Sequence, residues 1–157
     1  MSEIPRIRPY RPLDEDAAVD VWSRAGRAAH PFVPGEGEGE RERKMREIYL
    51  VHADNWVAEA DGRVVALLGL LDAEIAGGAG GEIGGLFVAP EAQGTGVGRL
   101  LVEHAAALRG ALTLEVYEKN VRARGFYARL GFAEEGRRSD EDNDEILLRL
   151  TRPAPRA

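Results

Sequence analysis

The chain contains no cysteine. This absence excludes a disulfide framework, thiolate metal sites and a cysteine nucleophile. Histidine is scarce as well: His30, His52 and His104 are far apart in the chain, and none has the spacing of paired metal ligands. We therefore expect no metal site.

Long apolar runs are also missing. The longest spans residues 64–71, far short of the roughly 20 residues that a membrane-spanning helix needs. The first residues lack the apolar core of a signal peptide. We therefore expect a cytoplasmic protein without a membrane partner.

Positive charge is not in excess, since the formal net charge is −6. The overall field of an acidic protein does not attract nucleic acid, and we expect no nucleic-acid partner. The charge is compatible with a cationic small acceptor, although acidic soluble proteins in general need no such explanation.

The residues that are present indicate one α/β domain. Apolar residues make up 44% of the 157 residues and charged residues 31%, an ordinary globular balance. Apolar periodicity predicts the order βααβββαβαββ, which corresponds to a mixed sheet with helices against it. We expect a single domain over residues 1–151 and a disordered tail over residues 152–157.

In the first half, a short strand over residues 4–9 precedes a helix that Asp14 caps and Pro31 ends. The Gly/Glu repeat at residues 35–40 is expected to be mobile. A second helix follows, with four residues predicted to share one face: Met45, Ile48, Tyr49 and His52.

In the middle of the chain, Asp61-Gly62 predicts a type I′ hairpin between two apolar strands. Residues 72–81 are rich in Gly and Ala and are interpreted as a loose connection to the next strand, which begins at Glu82. The pair Gly84-Gly85 is typical either of a bulge or of close packing against a neighbour.

A glycine-rich loop at residues 93–98 lies between a predicted strand and a predicted helix. Glycine lets the backbone approach an anion closely, and the helix start supplies free N–H groups. A P-loop does not fit, because Gly98 is followed by Arg99 and Leu100 rather than Lys and Ser/Thr. A tight strand–helix turn without a ligand is the alternative.

Two motifs carry a family resemblance. Gln93-x-x-Gly96-x-Gly98 resembles the pyrophosphate signature of the GNAT acetyltransferases. Residues 120–132, with Asn120, Phe126-Tyr127 and Gly131-Phe132, resemble a later motif of that family. The resemblance implies a three-layer GNAT-like fold, with helices on both faces of a mixed central sheet that is splayed between strands 4 and 5.

The resemblance also implies an acetyl-CoA-dependent N-acetyltransferase, with acetyl-CoA as cosubstrate. In that family, loop amides bind the pyrophosphate and the fourth strand pairs with the pantetheine arm. The cofactor-binding residues by this match are Leu86, Phe87, Val88, Gln93, Gly94, Thr95, Gly96, Val97, Gly98, Arg99, Asn120 and Tyr127. Asn120 has a second interpretation, as the cap of the following helix.

The catalytic pair implied by the resemblance is Glu82 as base and Tyr127 as acid. A base is needed because a lysine amine, with a pKa of about 10.4, must lose a proton before it attacks. Glu74 and Glu115 are alternative bases. Tyr127 has an alternative role as a core residue of its helix.

The acceptor is expected to be a primary amine of a small molecule, a peptide or a protein. His30 is a candidate for lining the acceptor entrance. Five acidic residues are candidates for attracting a cationic acceptor: Glu36, Glu38, Asp140, Glu141 and Asp142. The alternative interpretation is that they are solvated residues of mobile loops. A homodimer is an open alternative to a monomer. The alternative functions are an acetyl-CoA-binding sensor or partner module without turnover, and a structural α/β domain.

Overall fold

The computed structural model describes residues 4–155. Seven strands form one sheet in the hydrogen-bonded order β1-β2-β3-β4-β5-β7-β6. The strands are β1 (Arg6–Pro9), β2 (Asp54–Ala60), β3 (Arg63–Ile75), β4 (Gly78–Val88), β5 (Ala111–Tyr117), β6 (Ala133–Asp140) and β7 (Glu145–Arg152). The helices are α1 (Glu15–Ala29), α2 (Gly39–Lys44), α3 (Leu50–His52), α4 (Val97–Arg109) and α5 (Val121–Arg129). This confirms the predicted α/β class.

The chain divides into two compact units. Of the described residues, the first contains 4–70 and 85–102, and the second contains 71–84 and 103–155. The predicted tail begins later than expected, because Arg152 is the last residue of β7. Residues 153–155 have no regular structure, and residues 156 and 157 lie outside the described residues.

The first unit has its core between its helices and its sheet. Apolar positions of α1 recur at helical spacing and pack against β2 and β3. The buried residues of this cluster are Ala18, Val19, Trp22, Met45, Leu50, Val57 and Leu67. Tyr10, Val64 and Phe87 pack against it from outside.

Asp14 stands directly before α1, as predicted, but its side chain does not cap the helix. Its two carboxylate oxygens accept hydrogen bonds from the Arg8 guanidinium at 2.8 and 2.9 Å. A third bond comes from the Arg11 backbone N–H at 2.8 Å. These donors, the guanidinium of Arg8 first, lower the pKa of the Asp14 carboxyl. Asp14 therefore joins β1 to the start of α1.

We expect Asp14→Ala to lower the free energy of unfolding by about 2 kcal/mol, since hydrogen bonds to charged groups contribute roughly that much. Arg8 keeps Glu59 as a partner, at 2.8 Å, which limits the loss. Because the folded-state pKa of Asp14 is lowered, its contribution is present at neutral pH and is lost as the pH falls below about 4. Urea unfolding of the wild type and Asp14→Ala, at neutral pH and below about pH 4, checks this prediction. An equal loss of unfolding free energy at the two pH values would contradict it.

The Gly/Glu repeat holds a buried carboxylate, contrary to the interpretation of its acidic residues as solvated. The Glu36 side chain is only 8% exposed and contacts His30 Nδ1 at 3.1 Å. A Cβ on Gly26 would lie 3.3 Å from this side chain, so a helix glycine makes room for it. Glu36 is thus engaged inside the first unit, and His30 is its structural partner.

The face predicted for the second helix is wrong. Met45 and Leu50 are each 5% exposed, whereas Ile48 and Tyr49 are 45% and 55% exposed. Residues 45–49 form a π-helical turn between α2 and α3, in which the Leu50 N–H donates to the Met45 carbonyl. This five-residue repeat moves the buried stripe away from the α-helical spacing on which the prediction depended.

Both β-hairpins of the sheet's centre have two-residue loops. Asp61 and Gly62 have φ values of 54° and 76°, and the predicted type I′ geometry needs both to be positive. The loose connection predicted for residues 72–81 is wrong: β3 continues to Ile75, and Ala76-Gly77, with φ of 52° and 80°, leads directly into β4. Alanine is a rare residue in this conformation and so gives no hairpin signal.

The second unit is built on β5. It pairs in parallel with β4 over Gly80–Ile83, whereas β4 itself runs on to Val88. On the other side β5 pairs antiparallel with β7, and β7 with β6. One face of β5 and β7 is apolar and buried through Leu112, Leu114, Val116, Leu148 and Leu150. The opposite face of β5 carries Thr113, Glu115 and Tyr117.

Candidate active site

The glycine-rich loop of the first unit is ordered by its own side chains. Gln93 Nε2 donates to the Val88 carbonyl at 3.2 Å, and the Thr95 hydroxyl donates to the Ala92 carbonyl. Gly94 and Gly96 have φ of 80° and 90°, and nothing lies within 4 Å of a Cβ built on either. The backbone is therefore open to a close-fitting ligand at both positions.

The start of α4 follows this loop. Val97 is the first helical residue, and Leu100 N–H donates to the Gly96 carbonyl at 3.1 Å. Val97 and Gly98 are buried, whereas Gly94, Thr95, Gly96 and Arg99 are exposed. The first N–H groups of a helix have no acceptor within it and carry its positive dipole end. This end of α4 can thus bind an anion through its backbone.

The last residues of β4 are half-buried. Phe87 packs against the core cluster of the first unit, so its ring is structural. The same ring lies over Gly85, where a Cβ would come within 2.5 Å of it. Of the two interpretations of Gly84-Gly85, the structure supports close packing at Gly85. Leu86 and Val88 are also half-buried, in extended backbone.

Tyr127 lies in α5 of the second unit and is 7% exposed. Its ring makes edge contacts with Phe126 at 5.1 Å and with Phe132 at 5.3 Å between centroids. Burial among these rings raises the pKa of the phenol, which keeps it protonated. Within residues 4–155 its hydroxyl makes no hydrogen bond. Tyr127 thus has a buried ring, and its protonated hydroxyl has no hydrogen-bond partner among the described residues.

The three candidate carboxylates differ in their surroundings. Glu82 is half-buried in β4, opposite Thr113 of β5, and no described residue forms an ion pair or hydrogen bond with its side chain. Glu74 is exposed, next to the end of β3. Glu115 accepts two hydrogen bonds from Arg138, at 2.7 and 2.8 Å, which lower its pKa. Of the three, Glu82 is therefore the carboxylate that is half-buried and still able to accept a proton without breaking an ion pair.

Asn120 is the N-cap of α5. Its side-chain oxygen accepts a hydrogen bond from the Ala123 backbone N–H at 3.2 Å. The structure thus supports the interpretation of Asn120 as the cap of the following helix. The helix ends before Gly131, whose φ of 93° is left-handed, as the sequence predicts.

Comparison with known proteins decides the family. The family model described as an acetyltransferase (GNAT) domain matches residues 52–134, more than half of the chain. The chain belongs to the GNAT acetyltransferase family. The peptidyl-lysine N-acetyltransferase YjaB of Escherichia coli is 36% identical over 138 residues, which are 87% of this chain and 87% of YjaB. Peptidyl-lysine N-acetyltransferase YiaC of the same organism is 30% identical over 126 residues, covering 80% of this chain and 82% of YiaC.

Solved structures agree with this assignment. The solution structure of apo YjaB from Escherichia coli has a TM-score of 0.76 at 30% identity, covering 98% of this chain and 100% of that one. The PaiA N-acetyltransferase of Thermoplasma acidophilum, in complex with coenzyme A, has a TM-score of 0.70 at 17% identity and covers 94% and 98%. The second comparison supports the fold alone, and together they confirm the predicted GNAT fold.

This GNAT protein is therefore an acetyl-CoA-dependent N-acetyltransferase that transfers an acetyl group to an amine. The prediction made from the two motifs is confirmed at this level. Within residues 4–155, no helix is long and apolar enough to span a membrane. The same part of the chain holds no cluster of three or more metal-ligating side chains.

Sequence reasoning missed a polar network on one face of β5, β6 and β7. Tyr117 donates its hydroxyl proton to Asp140 at 2.8 Å, and Arg149 donates to the Thr113 hydroxyl at 3.1 Å. Asn143 donates to the same Asp140 carboxylate at 2.8 Å. The only signal was the alternation of polar residues along β5, because the partners of the β5 side chains come from other parts of the chain. Asp140, at the acidic tip of the β6–β7 hairpin, is thus engaged in hydrogen bonds that stabilise the hairpin.

Proposed function

We propose that this GNAT enzyme acetylates the ε-amine of lysine in a peptide or protein. The support is that YjaB and YiaC, both peptidyl-lysine N-acetyltransferases, match most of the chain and most of their own lengths. A lysine ε-ammonium is a compact cation, and a net charge of −6 favours its approach.

The acetyl-CoA pyrophosphate is assigned to the backbone N–H groups of the glycine-rich loop and the start of α4. The support is local: Gly94 and Gly96 leave open space, and the helix start offers unsatisfied donors. Leu86 and Val88 are assigned to the pantetheine amides, since extended backbone can pair with them as a strand would. In this assignment the residues Phe87, Gln93 and Thr95 shape the site.

Tyr127 carries the catalytic part of the proposal, because its ring is buried, its hydroxyl stays protonated and no described residue forms a hydrogen bond with that hydroxyl. Acetyl-CoA supplies a thioester whose acyl carbon the amine attacks, so that a C–N bond forms as the C–S bond breaks. Glu82 accepts the proton that the amine loses, directly or through water. Tyr127 donates its proton to the departing sulfur, and proton exchange with solvent restores both groups.

A pair of peptides tests the acceptor. One has a blocked N-terminus and a single internal lysine, and the other has a free N-terminus and arginine in place of that lysine. We expect acetylation of the first alone, detected by mass spectrometry and by release of CoA thiol. Acetylation of the second alone would overturn the lysine assignment and leave the acetyltransferase activity intact.

The homodimer stays a prediction, which sedimentation of the purified chain tests.

We expect Gly96→Ala to weaken the binding of CoA by tenfold or more. A left-handed φ of 90° disfavours a side chain, and the added methyl group occupies the open space where the ligand approaches. Isothermal titration with CoA and acetyl-CoA measures the effect. Gly62→Ala is the matched control, since it has a φ of 76°, equally open surroundings and a place in a distant turn. Equal affinities of both variants and the wild type would contradict the loop assignment.

A further inference from the structure

Asn55 is a buried amide at the start of β2. It is 9% exposed, and its Nδ2 group donates to the Tyr49 carbonyl at 3.0 Å and the Ala53 carbonyl at 3.1 Å. Both N–H bonds of the amide are thus used to hold the end of the helical segment 39–52. The direction of the amide oxygen follows from this, because the planar group cannot turn without breaking these bonds.

The oxygen points over Gly69, the partner of Asn55 in the β2–β3 ladder. A Cβ built on Gly69 would lie 3.0 Å from Asn55 Oδ1 and 4.0 Å from the Gly85 backbone nitrogen. The oxygen therefore faces a patch of the sheet where Gly69 and Gly85 have no side chains. No described residue donates a hydrogen bond to this oxygen.

The chemistry of this patch selects its ligand. An amide oxygen only accepts hydrogen bonds, so it suits an N–H or O–H donor and does not suit an anion. The Phe87 ring lies over Gly85 beside it and supplies an apolar wall. A lysine side chain combines the two features that fit, a methylene stem and a terminal ammonium with three donors.

We propose that Asn55 Oδ1, above the Gly69–Gly85 patch, accepts a hydrogen bond from the acceptor amine. Asn55 thereby positions the acceptor within the first unit. This inference rests on the proposed lysine acetyltransferase function. It assigns Asn55 two tasks, since the Nδ2 group holds the chain and the oxygen binds the substrate.

Gly69→Ala tests the oxygen, because the added Cβ lies 3.0 Å from Oδ1 and crowds it, whereas neither carbonyl that accepts from Nδ2 is among the three nearest contacts of that Cβ. We expect the KM for the lysine peptide to rise about tenfold or more, with kcat, the Kd for acetyl-CoA and the Tm near their wild-type values. Gly136→Ala is the control, since a Cβ there meets nothing within 4 Å and its φ is not left-handed. An unchanged KM in a folded Gly69→Ala variant would overturn the inference.

A second measurement avoids any substitution. Butylamine is titrated into the wild-type protein with CoA present, and the side-chain amide resonance of Asn55 is followed by NMR. We expect a saturable shift of that resonance; its absence at saturating amine would overturn the inference even if Gly69→Ala fails to fold. Turnover of the lysine peptide by the wild type tests the proposed function separately, so the two failures are distinguishable.

Discussion

Tyr127→Phe is expected to lower kcat about 100- to 1,000-fold, the range lost with a general acid. The substitution removes one oxygen from a ring already packed between Phe126 and Phe132, so the shape of the site is kept. No described residue forms a hydrogen bond with the hydroxyl, so removing it breaks no hydrogen bond within that part of the chain. We therefore expect a large loss of kcat with an unchanged or slightly raised Tm, measured by thiol release and thermal unfolding.

The raised pKa of Tyr127 gives this prediction a pH dependence. A phenol whose pKa is higher in the folded state stabilises the fold below about pH 10, and this stability is lost as the pH rises past that value. Tyr127→Phe lacks this alkaline loss, so the Tm values of the two proteins diverge in its favour above about pH 10.

Tyr117→Phe serves as the matched tyrosine control, since its hydroxyl donates to Asp140. We expect this substitution to affect the hairpin of β6 and β7 and to leave most of kcat. If Tyr127→Phe retained full kcat, the role of Tyr127 as the acid would be wrong and its role as a core residue would remain.

Glu82→Gln is expected to lower kcat/KM about 100-fold near pH 7, because the amine then lacks a base. Glutamine keeps the size of the side chain and removes its ability to accept the proton. As the pH rises toward the amine pKa of about 10.4, the neutral fraction of the acceptor grows about tenfold per pH unit. The activity of Glu82→Gln should rise along this slope, more steeply than that of the wild type. Rate profiles between about pH 7 and pH 9 measure the difference.

Two glutamates of the same unit make the test selective. Glu74 is exposed, so Glu74→Gln should have wild-type activity. Glu115 is held by Arg138, and Glu115→Gln should lower the Tm more than the activity. A loss of activity in Glu74→Gln with normal activity in Glu82→Gln would instead assign the role of base to Glu74.

Predictions from the sequence were accurate where short-range backbone chemistry decides. Asp61-Gly62 forms the expected hairpin, and Gly131 follows the end of α5 as expected. The predictions failed at residues 45–49, where a π-turn changes the buried face, and at Ala76-Gly77, where alanine takes a left-handed φ. In neither place is there a strong local signal, because π-turns are rare and alanine seldom takes a left-handed φ.

The sequence by itself determined the order of the elements and the glycine-rich loop, and its two motifs carried the family resemblance. The order and the loop follow from local requirements: a positive φ at Gly94 and Gly96, a helix start after them, and apolar periodicity. Only the tertiary structure decided which polar side chains are available for proton transfer. Glu115 meets Arg138 and Glu36 meets His30, whereas no described residue forms an ion pair or hydrogen bond with the Glu82 side chain or the Tyr127 hydroxyl. Such availability depends on burial and on groups brought together from separate strands and loops, and these cannot be read from the order of residues.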